Sequence, residues 1–290
     1  MKILITGKNG QMGYELAQIF AKPGNTIFAL DRAAMDLSDV KQIREVTRAI
    51  APDLILNAAA YTAVDLAEKE SALAFAVNAD APAILAEEAN RLGAPIIHYS
   101  TDYVFDGNGT RPYRETDAVG PTNVYGHSKL RGEEAIAGIA KQHLVLRASW
   151  LYSNRRHNFL LTILRLAAER DSLSVVNDQM GSPTWVRHVS STTQALVDSN
   201  AMLLVPSGVY HLTASGITSW HGFAAAIMAK SKPAVKVLPI NSAEYKAPAK
   251  RPAYSVLDNS KIEAVLNQKM SLWESQLDAC LVERNALVAS

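Results

Sequence analysis

Tyr125 and Lys129 combine residue types and a spacing that suit acid–base chemistry. A separation of four positions nearly completes a helical turn of about 3.6 residues, so the two side chains share one helix face. A tyrosine phenol has an ordinary pKa of about 10 and exchanges protons poorly near neutral pH. A neighbouring ammonium favours the phenolate, so we expect Lys129 to lower the pKa of Tyr125. The pair predicts an acid–base unit if the rest of the chain supplies a reaction that needs a proton.

The first residues of the chain predict a site for a phosphate group. Lys2 to Thr6 form a run typical of a buried strand, and a helical pattern begins after Gly13. In such a unit the first glycine permits a tight turn, the second lets a pyrophosphate approach, and the third lets the helix pack on the strand. Backbone N–H groups and the positive helix end then hold the anion. The predicted cofactor-binding residues of this turn are Gly7, Gly10, Gln11, Met12 and Gly13.

The end of the second predicted strand carries residues that bear on the choice of nicotinamide cofactor. Asp31 can accept hydrogen bonds from the adenosine ribose, which favours NADH, whereas Arg32 can pair with a 2′-phosphate, which favours NADPH. Because both residues are present, the sequence leaves the choice between NADPH and NADH open. Asp36 and Leu37 follow where an adenine ring would rest.

Two further strand ends are expected to border the same crevice, because ligands bind at the carboxyl ends of the strands in a doubly wound sheet. Three alanines follow the third predicted strand and would let a flat cofactor lie against the backbone. Ser100 or Thr101, at the end of the fourth strand, could hydrogen-bond both a substrate carbonyl and the phenol of Tyr125. The predicted cofactor-binding set thus gains Ala58, Ala59 and Ala60.

The order of the predicted elements indicates an α/β fold of the Rossmann type. Five strand–helix units fill roughly the first 150 residues, and a doubly wound parallel sheet with right-handed crossovers is the economical way to pack them. We therefore predict an NAD(P)-binding domain over residues 1–150. Residues 151–290 are predicted to form a smaller α/β substrate-binding domain, with residues 185–205 packing back on the first domain.

Composition and charge limit the classes of function. The 290 residues have a net charge of +1 and are 20% charged, so neither nucleic acid nor a membrane surface is expected as a partner. No apolar run approaches a membrane span, and the N-terminus lacks the pattern of a signal peptide. The one cysteine, Cys280, excludes an internal disulfide and is expected to be buried. The expected compartment is the cytoplasm.

Together these motifs resemble those of the extended short-chain dehydrogenase/reductases. Further segments resemble, within that group, the dTDP-4-dehydrorhamnose reductase family. These segments are Tyr99-Ser100-Thr101-Asp102, Asn123-Val124-Tyr125-Gly126, Arg147-x-Ser149-Trp150, Val176-Asn177-Asp178-Gln179-x-Gly181-x-Pro183-Thr184 and Arg251-Pro252. The resemblance covers nearly the whole chain, and the block from Asn177 to Thr184 is much more specific than the generic reductase motifs.

The resemblance implies reduction of the C4 ketone of a dTDP-linked 4-keto-6-deoxy sugar by NADPH or NADH, the last step to dTDP-L-rhamnose. It implies that Tyr125 delivers the proton, that Lys129 binds the nicotinamide ribose, and that Thr101 hydrogen-bonds the keto oxygen. Tyr125 and Lys129 thereby join the predicted cofactor-binding set. Trp150 would pack on the sugar, and Arg251 could reach a phosphate or the thymine. The substrate-binding residues of this interpretation are Thr101, Asp102, Tyr103, Trp150 and Arg251.

A metal site is the one family feature that this chain is not expected to share. Some relatives hold magnesium at a dimer interface through a glutamate on the first helix and further carboxylates after the Pro-Thr pair. Glu15 is present, but residues 185–191 contain no carboxylate. A hard cation normally takes several oxygen donors, so we predict no metal site. A homodimer is compatible with the sequence but would not depend on such a metal.

Two other functions fit the same motifs. One is reduction of a different nucleotide-linked 4-keto sugar, because the shape of the pocket sets the sugar stereochemistry. The other is a non-catalytic dinucleotide-binding regulatory subunit, similar to that of methionine adenosyltransferase. The presence of Tyr125, Lys129 and Thr101 together favours an enzyme.

Overall fold

The computed structural model describes residues 1–199 and 205–289, and a six-stranded parallel sheet forms its centre. The strands of this sheet are β1 (Lys2–Thr6), β2 (Thr26–Leu30), β3 (Leu54–Asn57), β4 (Ile96–Thr101), β5 (His143–Ala148) and β10 (Gly208–His211). They lie in the order β2-β1-β3-β4-β5-β10, and every neighbouring pair is parallel. The predicted Rossmann-type α/β fold is therefore confirmed.

Shorter strands pair outside this sheet, and helices cover it. The remaining strands are β6 (Leu151–Tyr152), β7 (Ser172–Val176), β8 (Met180–Gly181), β9 (Thr184–Trp185), β11 (Thr218–Ser219) and β12 (Lys236–Ile240), paired as β6–β9, β7–β12 and β8–β11. The helices are α1 (Gln11–Phe20), α2 (Val40–Ile50), α3 (Val64–Ala67), α4 (Ser71–Phe75), α5 (Ala81–Leu92), α6 (Val124–Ile139), α7 (Phe159–Glu169), α8 (Val186–Asp198), α9 (Trp220–Ser231), α10 (Ser242–Tyr245), α11 (Ser260–Leu266) and α12 (Trp273–Ala289).

The sheet grows in opposite directions from β1, with β2 on one side and β3 on the other. Such a reversal opens a crevice at the carboxyl ends of the two strands. Gly7 follows β1 with a φ of +74°, and a Cβ there would lie 3.0 Å from Cα of Ala59, just after β3. Only glycine combines this backbone conformation with so close an approach.

A π-helical turn, Ala76–Asp80, lies between α4 and α5, and Pro82 is the second residue of α5. Proline has no backbone N–H to donate, so a regular α-helical pattern is interrupted here. The turn presents its backbone to α6. A Cβ on Gly132 of α6 would lie 2.1 Å from the carbonyl oxygen of Asn78, so a glycine allows this contact.

The second half of the chain packs on the sheet and also forms a core of its own. Helix α8 lies against α1, where Val186 and Leu196 join the same buried cluster as Phe20. A separate buried cluster contains Phe223 and Cys280. The cysteine is 0% exposed, which confirms the expectation that it is buried.

The predicted division of the chain at residue 150 stays a prediction. Of the segment predicted to pack back on the first domain, residues 200–204 lie outside the described residues. No helix in the described part of the chain is long and apolar enough to cross a membrane.

Two glycines of α6 give a matched test of its packing. Gly132→Ala puts a methyl group 2.1 Å from the carbonyl oxygen of Asn78, whereas Gly138→Ala meets nothing within 4 Å. We expect Gly132→Ala to lower the free energy of unfolding by about 1–3 kcal/mol through overpacking. Gly138→Ala should be neutral or raise it by up to about 1 kcal/mol. Chemical denaturation checks both values, and equal stabilities would contradict the close approach of α6 to the π turn.

Candidate active site

Helix α6 carries Tyr125 and Lys129 one turn apart, close to its start. The helix begins after Asn123, whose side chain accepts a hydrogen bond from the N–H of Gly126 at 2.8 Å. A Cβ on Gly126 would lie 2.3 Å from the carbonyl oxygen of Tyr103, in the 3₁₀ turn that follows β4. The N-cap and this close approach hold the helix start at the carboxyl end of β4.

The ammonium of Lys129 is buried between α6 and β4. The residue is 1% exposed, and its Nζ donates to the carbonyl oxygen of Tyr99 at 2.6 Å and lies 3.0 Å from Nε2 of His98. Burial lowers the pKa of Lys129 to about 8, because the charged form loses its hydration, and the Glu133 carboxylate opposes this shift.

The phenol of Tyr125 lies against aromatic and polar groups. Its ring packs edge-to-face on Tyr103, with centroids 5.6 Å apart and planes at 76°. Burial raises the pKa of Tyr125 to about 12; a hydrogen bond with Thr101 lowers it in part, and the Asp102 carboxylate raises it.

The expectation that Lys129 lowers the pKa of Tyr125 is therefore wrong. Burial has the largest effect on the phenol, and the hydrogen bonds of the ammonium go to β4 instead. A phenol with a raised pKa is protonated at neutral pH. This is the form that can give a proton to an oxygen that gains negative charge.

Thr101 ends β4 and joins the phenol to a buried carboxylate. Its hydroxyl donates to Oδ1 of Asp102 at 3.0 Å and accepts from the N–H of Tyr103 at 3.2 Å. Asp102 is 2% exposed, and burial raises its pKa to about 6. Of the two hydroxyls predicted near Tyr125, that of Thr101 lies close enough to the phenol to lower its pKa. Ser100 is the residue before Thr101 on β4, so its side chain points to the opposite face of the sheet.

A cavity of about 520 Å³ lies at the carboxyl ends of β1, β2 and β3. Most of the residues predicted to hold a dinucleotide line it. They are Gly7, Gly10, Asp31, Arg32, Asp36, Leu37, Ala59 and Ala60. Cavities of about 300–1,000 Å³ suit small ligands. With the glycine turn and the start of α1 at its edge, this cavity fits the adenosine half of a nicotinamide cofactor.

The other predicted cofactor residues, Gln11, Met12, Gly13, Ala58, Tyr125 and Lys129, are not part of the lining of this cavity. Met12 is 6% exposed in the core, and Gly13 packs against the turn. The side-chain oxygen of Gln11 accepts hydrogen bonds from Ser153 at 2.7 Å and Asn158 at 3.1 Å. The side chains of Gln11 and Met12 thus serve the packing of the protein.

Asp31 and Arg32 both line the cavity, and each has a partner of opposite charge. Nζ of Lys8 lies 3.1 Å from Oδ2 of Asp31, and Nε of Arg32 lies 3.1 Å from Oδ2 of Asp36. The hydrogen bond from Lys8 lowers the pKa of Asp31. Sequence reasoning missed Lys8, which adds a second cation beside the acidic residue, so the choice between NADPH and NADH stays open.

Asn78 joins the cavity to α6. Its side chain accepts from the N–H of Tyr61 at 2.8 Å and donates to the carbonyl oxygen of Tyr61 at 3.0 Å and to Oγ of Ser128 at 2.9 Å. Ser128 in turn donates to the carbonyl oxygen of Tyr125 at 2.8 Å. π turns often lie at functional sites. The sequence offered no signal for Asn78, because an asparagine inside a helical run does not reveal a distant partner.

Trp150 and Arg251, predicted to bind the sugar nucleotide, both have protein partners. Trp150 stacks on Trp220 with ring centroids 3.5 Å apart and planes at 4°. A Cβ on Gly181 would lie 2.4 Å from the indole, so a glycine makes room for it. Arg251 forms two hydrogen bonds to Asp65, at 2.8 and 3.1 Å. The contacts of Trp150 and Arg251 with a substrate stay predictions.

Glu15 pairs with an arginine in this chain. It is 7% exposed, and Nε of Arg187 lies 3.0 Å from its Oε2. Nη2 of the same arginine lies 2.8 Å from Oε1 of Glu283. The described residues contain no group of three or more His, Cys, Asp or Glu side chains that could hold a metal ion. Because a guanidinium lies between the two carboxylates, these residues do not fit the magnesium ion implied by the resemblance.

Known proteins are similar to this chain over nearly its whole length. The family model described as the RmlD substrate binding domain matches residues 1–285. The chain is 43% identical to a dTDP-4-dehydrorhamnose reductase of Burkholderia thailandensis, over 97% of this chain and 98% of that protein. It is 41% identical to the dTDP-4-dehydrorhamnose reductase of Salmonella typhimurium, over 98% of both chains.

Solved structures share the fold. A dTDP-4-dehydrorhamnose reductase of Bacillus anthracis in complex with NADP superposes with a TM-score of 0.92 at 36% identity, over 97% of this chain and 99% of that chain. A UDP-glucose 4-epimerase of Thermus thermophilus in complex with NAD superposes with a TM-score of 0.82 at 18% identity, over 98% of this chain and 99% of that chain, and this likeness concerns the fold alone.

The buried ammonium predicts a pH-dependent stability. The pKa of Lys129 falls from 10.5 to about 8 on folding, so between these values the unfolded chain binds more protons and stability rises with pH. The stability of the wild type relative to Lys129→Met should therefore increase by on the order of 3 kcal/mol across that window. Lys41→Met, whose side chain is 84% exposed, is the matched control and should differ from the wild type by a constant amount. Denaturation at a series of pH values checks this, and a flat difference for Lys129→Met would refute it.

The ion pair at Glu15 predicts insensitivity to chelators. Removal of divalent cations should change neither the melting temperature nor the mass in solution, because Arg187 neutralises this carboxylate. Arg187→Ala leaves the nearly buried carboxylate without its cation and should destabilise the fold by on the order of 1–3 kcal/mol. Light scattering and thermal unfolding check both effects. A chelator that lowers the mass or the melting temperature of the wild type would show that a metal is present.

Proposed function

The chain belongs to the RmlD substrate-binding-domain family, and from this premise we propose that it is an NAD(P)H-dependent dTDP-4-dehydrorhamnose reductase. The proposed reaction reduces the C4 ketone of dTDP-4-dehydro-β-L-rhamnose and yields dTDP-L-rhamnose. The relative from Bacillus anthracis was solved with NADP, which supports a nicotinamide cofactor.

The observation that carries this proposal is the grouping of a phenol, a hydroxyl and an ammonium at the carboxyl end of β4. The phenol of Tyr125 lies beside the Thr101 hydroxyl, and the Lys129 ammonium is held to the same strand at Tyr99. The cavity that fits an adenosine half opens at the ends of β1 and β3, and β3 is the neighbour of β4 in the sheet. A dinucleotide that extends along these strand ends would bring its nicotinamide to the three groups.

Within this proposal Tyr125 is the proton donor. When bound, the reduced nicotinamide supplies the hydride that reaches C4 of the sugar. Negative charge then develops on the keto oxygen, and a positioned acid at that oxygen lowers the barrier. Burial raises the pKa of Tyr125 to about 12, so the phenol holds its proton until this oxygen becomes basic. A sugar alkoxide is a stronger base than the phenolate, so the proton moves to the sugar.

Thr101 and Lys129 orient the groups that react. The hydroxyl of Thr101 lies beside the phenol. Its single O–H is donated to Asp102 in this structure, so it would bind the keto oxygen by turning that O–H from Asp102 to the substrate. An ammonium has three N–H donors. Two of those on Lys129 face Tyr99 and His98, which leaves the third for the nicotinamide ribose. The glycine turn and the residues that line the cavity would hold the rest of the cofactor.

The partner in this proposal is the dTDP-linked 4-keto-6-deoxy sugar, and the compartment is the cytoplasm. Neither nucleic acid nor a membrane takes part, which agrees with the net charge of +1. Because Arg187 lies between Glu15 and Glu283, any homodimer would form without a bridging metal ion.

A direct assay tests the activity. The 4-keto-6-deoxy sugar nucleotide, prepared with its epimerase, should drive oxidation of NADPH or NADH, each followed separately by absorbance. Tyr125→Phe should lower turnover by about 100-fold or more while the affinity for the cofactor stays nearly unchanged, because only the proton is lost.

Tyr245→Phe is the matched control, since Tyr245 is 60% exposed, and it should retain wild-type turnover. No turnover of the wild type with either cofactor would remove the proposed function. Wild-type rates in Tyr125→Phe would show that another group supplies the proton.

A further inference from the structure

His98 is a buried polar residue in the middle of β4, and both of its ring nitrogens face hydrogen-bonding groups. The residue is 0% exposed. Its Nε2 lies 3.0 Å from Nζ of Lys129, and its Nδ1 lies 2.9 Å from Nδ2 of Asn57. Its neighbours Ile96 and Ile97 on the same strand are apolar and fully buried, so a histidine here needs a specific reason.

The hydrogen bonds continue from His98 across the sheet to the glycine turn. Oδ1 of Asn57, at the end of β3, accepts from Oγ1 of Thr6 at 2.8 Å. Oγ1 of Thr6, at the end of β1, accepts from the N–H of Ala59 at 2.9 Å. Asn57 is 0% exposed and Thr6 is 1% exposed. A continuous buried chain of hydrogen bonds therefore joins the cofactor cavity to Lys129.

The chemistry of imidazole limits what His98 can do in this position. Burial and the adjacent Lys129 hold the pKa of His98 well below its ordinary value, so the ring is neutral. A neutral imidazole has one donor nitrogen and one acceptor nitrogen. Nε2 can accept from the Lys129 ammonium only when Nδ1 carries the proton. The Asn57 amide then has its oxygen toward Nδ1 and its Nδ2 toward Thr6, so Oγ1 of Thr6 accepts this hydrogen bond instead of donating it, and the chain of hydrogen bonds stays continuous. The Lys129 ammonium therefore determines the tautomer of the His98 ring and the orientation of the Asn57 amide.

The second acceptor fixes the direction of the ammonium. The carbonyl oxygen of Tyr99 alone would let the Lys129 ammonium rotate about one hydrogen bond. With Nε2 of His98 as a second acceptor, two N–H groups are held and the third has a defined direction. Groups that meet a reacting ligand need such support from the residues behind them.

We propose that His98 is a positioning residue of this reductase, which holds the Lys129 ammonium through Nε2 so that its remaining N–H meets the nicotinamide ribose. This inference rests on the proposed function and adds to it a residue that touches neither cofactor nor substrate. The position of the Lys129 ammonium depends on a hydrogen-bond acceptor at the place of Nε2 and not on the volume of the ring.

Two amide substitutions separate the two sides of the ring. The amide of His98→Gln reaches the position of Nε2 and keeps an acceptor for Lys129. The amide of His98→Asn is shorter, reaches the position of Nδ1 and keeps only the contact with Asn57. His98→Met fills the volume of the ring but has no hydrogen-bond acceptor for Lys129. It therefore tests the same loss if His98→Asn fails to fold. Thermal unfolding establishes which variants are folded.

We expect His98→Asn and His98→Met to lower kcat by about tenfold at unchanged KM for the sugar, because the ammonium loses one of its two anchors. His98→Gln should stay within about threefold of the wild type. If His98 had a purely structural role, His98→Gln would not keep the kcat that His98→Asn loses. Three folded variants that all match the wild type, or that are all equally impaired, would overturn the proposal.

A binding measurement separates this proposal from the proposed function. NADPH should bind more weakly to His98→Asn than to the wild type, whereas 2′,5′-ADP, which carries the adenosine half alone, should bind both equally. An inactive wild type with this binding pattern would remove the reductase assignment and keep the role of His98 toward Lys129. Equal NADPH affinity in a folded His98→Asn would remove the role of His98 and leave the reductase assignment intact.

Discussion

Burial of the Lys129 ammonium is the constraint to which the rest of the site conforms. Taking a charge out of water costs free energy, and its hydrogen bonds to Tyr99 and His98 offset that cost only in part, because the pKa of the amine is still lowered to about 8. Among the described residues the Lys129 ammonium has only these two acceptors, so it keeps a defined direction only if both acceptors are held in place. The site therefore needs a rigid carboxyl end of β4 on one side of the ammonium and a rigid start of α6 on the other.

The packing around α6 meets this need with small residues and one amide. Gly126 and Gly132 let the helix approach the backbone of the 3₁₀ turn and of the π turn. Asn78, in the π turn, hydrogen-bonds both Tyr61 in the wall of the cavity and Ser128 in α6. The wall that would hold a cofactor and the helix that carries the phenol are therefore parts of one rigid frame, which keeps the reacting groups aligned.

The parts of the site that could be predicted have local signals. The glycine turn and the Tyr–Lys spacing each lie within a few residues, and a parallel sheet brings its strand ends to one edge. The rest depends on which distant residues meet, and on how deeply they are buried. For this reason the shift in the pKa of Tyr125 was predicted in the wrong direction. For the same reason the sequence did not reveal the roles of His98 and Asn78 or the stacking of Trp220 on Trp150. Only the folded protein shows the depth of burial that outweighs a nearby ammonium.

A titration of the Lys129 side chain by NMR shows directly whether its ammonium is buried. Protein labelled with ¹³C at the ε-carbon of lysine shows one titrating signal per residue, and the signal that Lys129→Met lacks identifies the buried amine. This signal is expected to titrate near pH 8, below the signals of the exposed lysines. A midpoint at the ordinary lysine value of about 10.4 would contradict the buried, strand-anchored ammonium on which the site depends.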